Sequence, residues 1–217
     1  LLLLVFGVIG AVFSRPIPLV PDRAALVIAP LGPLVEQFSG APLERAISEV
    51  LRQGPTETRL RDVVEAIDAA GKDERISSLY LDLGGLDGGG TAKLQEVAAA
   101  IERFRKTGKP VIAFGEYYAQ PQYYLAAHAD EIYLDPQGVA YIDGFANYGL
   151  FVRDAIDKLS VDWNVFRVGQ YKSAVEMFTR NDMSPAEREE SLAWLNSVWG
   201  TWKADVASAR GVEPAVL

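Results

Sequence analysis

Four apolar runs of strand length, near residues 79, 111, 132 and 165, alternate with stretches whose apolar residues recur at helical spacing. A chain written this way has few means of hiding its apolar surface, because each strand must join a sheet and each amphipathic helix must lie on one. The pattern predicts an α/β domain of short repeated β-α units. Periodicity alone does not separate the versions of that architecture, a doubly wound sheet among them.

Around those runs the punctuation is clear. Residues 24–29 form a short apolar strand ended by Pro30, and 31–58, rich in Gly and Pro, read as an irregular arm or subunit contact with a helix over 43–52. From Arg59 the spacing of Leu60, Val63, Val64 and Ile67 predicts a core-facing helix that stops at Gly71. A strand over 76–83 runs into the glycine-rich turn 84–90 and then a helix over 91–106. Such a turn exposes backbone amides that could cradle an anion, yet it carries neither nucleotide-binding glycine pattern. Further on come a strand over 109–115, a helix carrying Tyr123 to Ala126, a strand over 131–134, a turn over 135–138, and a strand and loop over 139–147. A helix over 148–159 then feeds an alternating strand over 161–168. Ser184, Pro185 and Glu187 form a helix start with Glu187 in the capping-box position, and that helix extends to about Arg210. Its apolar stripe of Leu192, Leu195, Val198, Trp199 and Trp202, with Trp194 nearby, reads as packing against a further module or a neighbouring subunit.

Composition narrows the function classes. The 217 residues carry 21 basic and 29 acidic side chains, a net charge of −8, which argues against nucleic acid as a partner. No cysteine is present, so disulfides, thiolate catalysis and zinc-thiolate sites are excluded. Acidic residues are scattered without the spacing of a carboxylate dyad or metal site, and no cofactor is expected. The chain opens on an uncharged apolar run, residues 1–13, without a leading methionine, and is read as a fragment. At about 1.5 Å per residue a helix of that length falls short of a bilayer core of roughly 30 Å, so the run reads as the end of a transmembrane anchor or as a signal-peptide core, the anchor being the favoured reading.

The candidate for chemistry is Lys172, placed after the strand-like run and the break at Gly169. A lysine serves as a base only when burial or a positive field favours its neutral form. Tyr171 and Ala174 would flank it with apolar surface and the Ser173 hydroxyl could orient its amine; the alternative is a solvated surface lysine. Glu176 and Asp182 could help place Lys172, with surface pairing as their alternative role. His128, the single histidine, reads as a packing or surface group even with Asp130 nearby, since no nucleophile motif accompanies it.

The run Arg167-Val168-Gly169-Gln170-Tyr171-Lys172-Ser173-Ala174-Val175-Glu176, followed by Phe178, Asp182-Met183-Ser184-Pro185 and Arg188-Glu189, resembles bacterial signal peptide peptidases of the protease IV type, in the amino-terminal half of the long two-module class. Upstream, Gly115-Glu116-Tyr117, Gln122-Tyr123-Tyr124-Leu125-Ala126, Asp135-Pro136-Gln137-Gly138 and Gly144-Phe145 extend the resemblance over most of residues 75–210. It implies a crotonase/Clp-protease-like fold and a membrane-anchored serine endopeptidase with a Ser/Lys dyad that degrades cleaved signal peptides. By the match Lys172 is the general base, while the nucleophilic serine belongs to a second, homologous module. Gln120 stands where that module has its serine, so the fragment by itself is expected to be inactive. The implied division is an anchor over 1–14, an arm over 15–58 and a peptidase module over 59–217. The resemblance further implies peptide substrates, a bowl-like homotetramer, and a single-pass protein of the bacterial inner membrane with its catalytic module on the extracytoplasmic side. Two rival readings are a crotonase-fold enzyme acting on acyl-coenzyme A and a non-catalytic membrane scaffold.

Overall fold

The computed structural model describes residues 19–51, 56–162, 164–166, 168–169 and 172–217. The expected anchor over residues 1–14 lies outside them. Among the described residues no helix is long and apolar enough to cross a membrane.

The chain folds as a mixed α/β structure with two parallel sheets. Its strands are β1 (Ala24–Ile28), β2 (Gly32–Val35), β3 (Thr58–Arg59), β4 (Ile76–Asp82), β5 (Leu86–Gly88), β6 (Val111–Ala119) and β7 (Glu131–Tyr141). The helices are α1 (Pro42–Leu51), α2 (Leu60–Lys72), α3 (Thr91–Arg105), α4 (Gln120–Ala126), α5 (Arg153–Lys158), α6 (Glu176–Thr179) and α7 (Pro185–Arg210), with a final 3₁₀ turn over Pro214–Val216. The main sheet runs β1-β4-β6-β7 and the smaller one β3-β2-β5. Within 15–58, the stretch read as an arm, β1 is therefore an edge of the main sheet and β2 the centre of the smaller one. Residues 31–35 are less irregular than their prolines and glycines suggest, because Gly32 takes a positive φ of 68° and its missing side chain lets the Thr56 carbonyl approach.

Strand alternation sets which face is covered. Leu79 and Leu81 of β4 point to one side, level with Val111 and Ala113 of β6, and all four are buried. They share one core with Ile67 and Ala70 of α2 and Val97, Ile101 and Phe104 of α3. The opposite row includes Val27, Phe114 and Tyr133, which are exposed. Strand β6 continues four residues beyond the expected 109–115, and β7 runs unbroken through Asp135-Pro136, pairing with β6 across a register shift between Gly115 and Tyr117.

Two side chains lock helix and strand ends. Lys109 Nζ donates to the carbonyls of Ala70, Gly71 and Asp73 at 3.0, 3.1 and 2.8 Å, satisfying the C-terminal end of α2. Asp130 Oδ2 accepts from the Val111 amide at 2.9 Å and pairs with Arg105, fixing the entry to β6.

Helix α7 has the bounds expected of it, but its tryptophans turn out differently. Trp202 is buried in the chain's own core and stacks on Trp199 at 4.9 Å between ring centroids. Tyr123 and Phe145 meet these two indoles at 6.4 and 6.3 Å. Of the stripe expected to pack against another module, Trp202 is therefore buried at home and Leu195, Val198 and Trp199 are partly covered, while Leu192 and the neighbouring Trp194 are exposed.

Candidate functional site

Lys172 lies on the segment between α5 and α6 and is exposed. No strand forms over the described part of 161–168, contrary to the alternating pattern, and Phe166 and Val168 are exposed. Alternation shows only which residues could share a face; without a neighbouring strand to take its backbone groups, such a run gains no ladder. Tyr171, expected to flank the lysine, lies outside the described residues, and Ala174 is exposed. The helix expected over 148–159 shrinks to α5, and the Val152 amide donates to the Met177 carbonyl at 2.8 Å instead of to its own chain segment.

What anchors the lysine turn comes from the carboxyl side. The Glu176 amide donates to the Ser173 carbonyl at 2.7 Å, closing a turn directly after Lys172. The Glu176 side chain is 2% exposed, and its Oε2 accepts from the Ser184 amide at 3.1 Å. Ser184 caps α7 by accepting from the Glu187 amide on its Oγ, also at 3.1 Å. In a reciprocal capping box the Glu187 carboxyl would take the Ser184 amide. Here Glu176 has that place, and the Glu187 carboxyl is left within the influence of Ser173 and Glu176. Burial, followed by the neighbouring charge of Glu176, pushes the Glu187 carboxyl above its ordinary range, against the lowering pull of Ser173. The Ser173 side chain, expected to orient the lysine amine, also acts on the Glu187 carboxyl. Asp182, the other acid considered as a helper, pairs with Arg180 at 2.7 Å. Val165, Val175, Glu176, Thr179, Arg180, Ser184, Pro185 and Ala186 line an open cleft of about 600 Å³ beside this network.

The other candidates are structural. Gln120 is buried and its Oε1 accepts from the Gly144 amide at 2.7 Å. Gln122 Nε2 donates to the Leu86 carbonyl at 3.1 Å, holding the glycine-rich turn. That turn is partly strand: β5 pairs with β2, and a side chain at Gly89, φ 159°, would meet Leu34 Cβ at 2.6 Å. His128 is buried with Nδ1 3.1 Å from Glu102 Oε1, while Asp130 turns to Arg105, so the two near neighbours in sequence do not pair. Tyr124, against the His128 ring, donates to Asp205 Oδ2 at 2.8 Å, and burial and that carboxylate push its phenol upward. Among the described residues no group of three or more acidic or histidine side chains could hold a metal ion.

Sequence reasoning placed Lys172 and considered Glu176, but missed Glu187 as a partner of Ser173. The signal was available as the capping-box position itself, which sets the Glu187 carboxyl at the first turn of α7, within reach of whatever packs there.

A family model described as Peptidase family S49 matches residues 103–216, just over half the chain. Protease 4 of Salmonella typhi is 42% identical over 187 residues, which is 86% of this chain and 29% of that protein. Protease 4 of Haemophilus influenzae is 43% identical over 70% of this chain and 25% of its own length. The chloroplastic serine protease SPPA of Arabidopsis thaliana is 27% identical over 65% of this chain and 21% of its own. The chain thus spans under a third of the length of these relatives. Among solved structures, an enoyl-CoA isomerase from M. smegmatis is 17% identical, covering 72% of this chain and 74% of its own, at a TM-score of 0.34, too low to carry a fold assignment. With its carboxy-terminal half matched throughout and two bacterial relatives above 40% identity, the chain belongs to peptidase family S49.

Proposed function

We propose that this chain is the amino-terminal, base-bearing module of a membrane-anchored serine endopeptidase of the crotonase/Clp-protease-like architecture, in which Lys172 takes the proton from a serine on a second module. The observation that carries this reading is the run from Arg167 to Glu176, inside the segment matched by the family. The names of the relatives, Protease 4 and serine protease SPPA, supply the reaction class. With Gln120 at the position of the nucleophile, and engaged with the Gly144 amide, this module by itself hydrolyses nothing.

The exposure of Lys172 fits a shared site. In this reading the amine is desolvated when the serine-bearing module docks, and an oxyanion hole on that module stabilises the tetrahedral intermediate. The substrates are peptides, cleaved signal peptides foremost, and the anchor holds the extracytoplasmic module at the bacterial inner membrane. The assembly is a homotetramer.

In the full-length protein, Lys172→Ala is expected to abolish peptide hydrolysis while leaving thermal unfolding unchanged. Near-normal turnover by that variant removes the assignment. A wild-type protein that hydrolyses no peptide and takes no serine-directed label removes the peptidase reading altogether.

A further inference from the structure

The turn that carries Lys172 is tied to the rest of the fold at its carboxyl end. That end is built. Glu176 is almost wholly buried and takes the Ser184 amide, the N–H that a capping box would have left to Glu187. The Glu176 amide in turn donates to the Ser173 carbonyl at 2.7 Å, closing the turn beside Lys172. Behind Ser184 stands the 26-residue helix α7, fixed in the core through Trp202 and Val206. A chain of contacts therefore runs from the core, through the start of α7 and the Glu176 carboxyl, to the backbone beside the lysine.

Resting on the base role proposed above for Lys172, we infer that Glu176 is a positioning residue for that lysine, using its grip on the amide of Ser184 to hold the 172–175 turn in register with α7. Glu176 acts by accepting hydrogen bonds, not by touching substrate. Misplacing a catalytic group by about 1 Å costs on the order of 100-fold in rate, while the binding of a peptide by other surfaces is untouched. The role therefore falls on kcat and not on KM.

The test uses the full-length protein and steady-state hydrolysis of a peptide substrate. Glu176→Ala is expected to lower kcat by roughly 10- to 100-fold with KM within about twofold of wild type. Glu176→Gln, whose amide oxygen still accepts from Ser184, is expected to recover most of kcat. Glu176→Asp, one methylene short of the Ser184 amide, should also lower kcat at constant KM; it gives the reading if Glu176→Ala does not fold. A folded Glu176→Ala or Glu176→Asp with wild-type kcat overturns the inference, as does an equal loss in Glu176→Gln, which would assign the effect to charge. Lys172→Ala is measured alongside. If it is active, the base reading falls and the positioning role with it; if it is inactive while Glu176→Ala is fully active, only the positioning role falls.

Discussion

His128 shows how one buried side chain ties this fold to pH. Burial pushes its imidazole below the ordinary histidine value, and the Glu102 carboxylate pulls the other way without winning. Because the unfolded chain then binds the proton more readily, His128 contributes stability that is complete above the ordinary value, about 6.5, and is lost as pH falls below it. Thermal unfolding should move to lower temperature between about pH 7.5 and about pH 5.5, and His128→Leu should flatten that slope. Glu187 acts in the opposite sense: its carboxyl is raised, so its contribution is present at low pH and fades as pH rises through its folded value. A slope that persists unchanged in His128→Leu would assign the dependence to other groups. At this scale the sequence was only partly legible. Lys172 stood out through its motif, but the partners of Ser173 and Glu176 depend on where α7 begins in space, and neighbours along the chain such as His128 and Asp130 turned to different partners.

At the scale of elements, helix starts and stops were the most readable features, because capping chemistry is local. Ser184 and Pro185 set the beginning of α7, and Gly211, at φ 64°, ends it in the left-handed conformation that glycine tolerates. Ser184→Ala should destabilise the domain by about 1 kcal/mol, read as a shift in a denaturant midpoint with unchanged slope. The helix would survive, since most of its stability comes from the packed face around Trp202 and Val206. The segments that misled were those whose pattern did not decide their backbone partners. Residues 148–152 carry a helical pattern, yet the Val152 amide is taken by Met177, and over the described part of 161–168 the alternation is not accompanied by a strand. Pattern reports which face is apolar, and tertiary partners decide whether hydrogen bonds follow.

Across the whole molecule, the β-α alternation foretold an α/β domain, while strand order and direction were beyond reach of periodicity. The decisive contacts sit where β4 and β6 meet α2 and α3, with Leu79 fully buried at the centre. Leu79→Ala should cost about 2–5 kcal/mol, lowering the unfolding midpoint in both heat and denaturant. A loss below about 1 kcal/mol would mean that the core there collapses around the missing atoms.

The placement of β1 at the rim of the main sheet fixes an order of events. Ala24 to Ile28 find their partner in β4, some fifty residues downstream, with β2, α1, β3 and α2 all in between. Synthesis therefore delivers this strand long before its seat exists, and closing so distant a pairing is slow. An apolar pentapeptide left waiting is what a chaperone would grasp, and of the sheet's strands it is the one most exposed to misassembly while the polypeptide is being made.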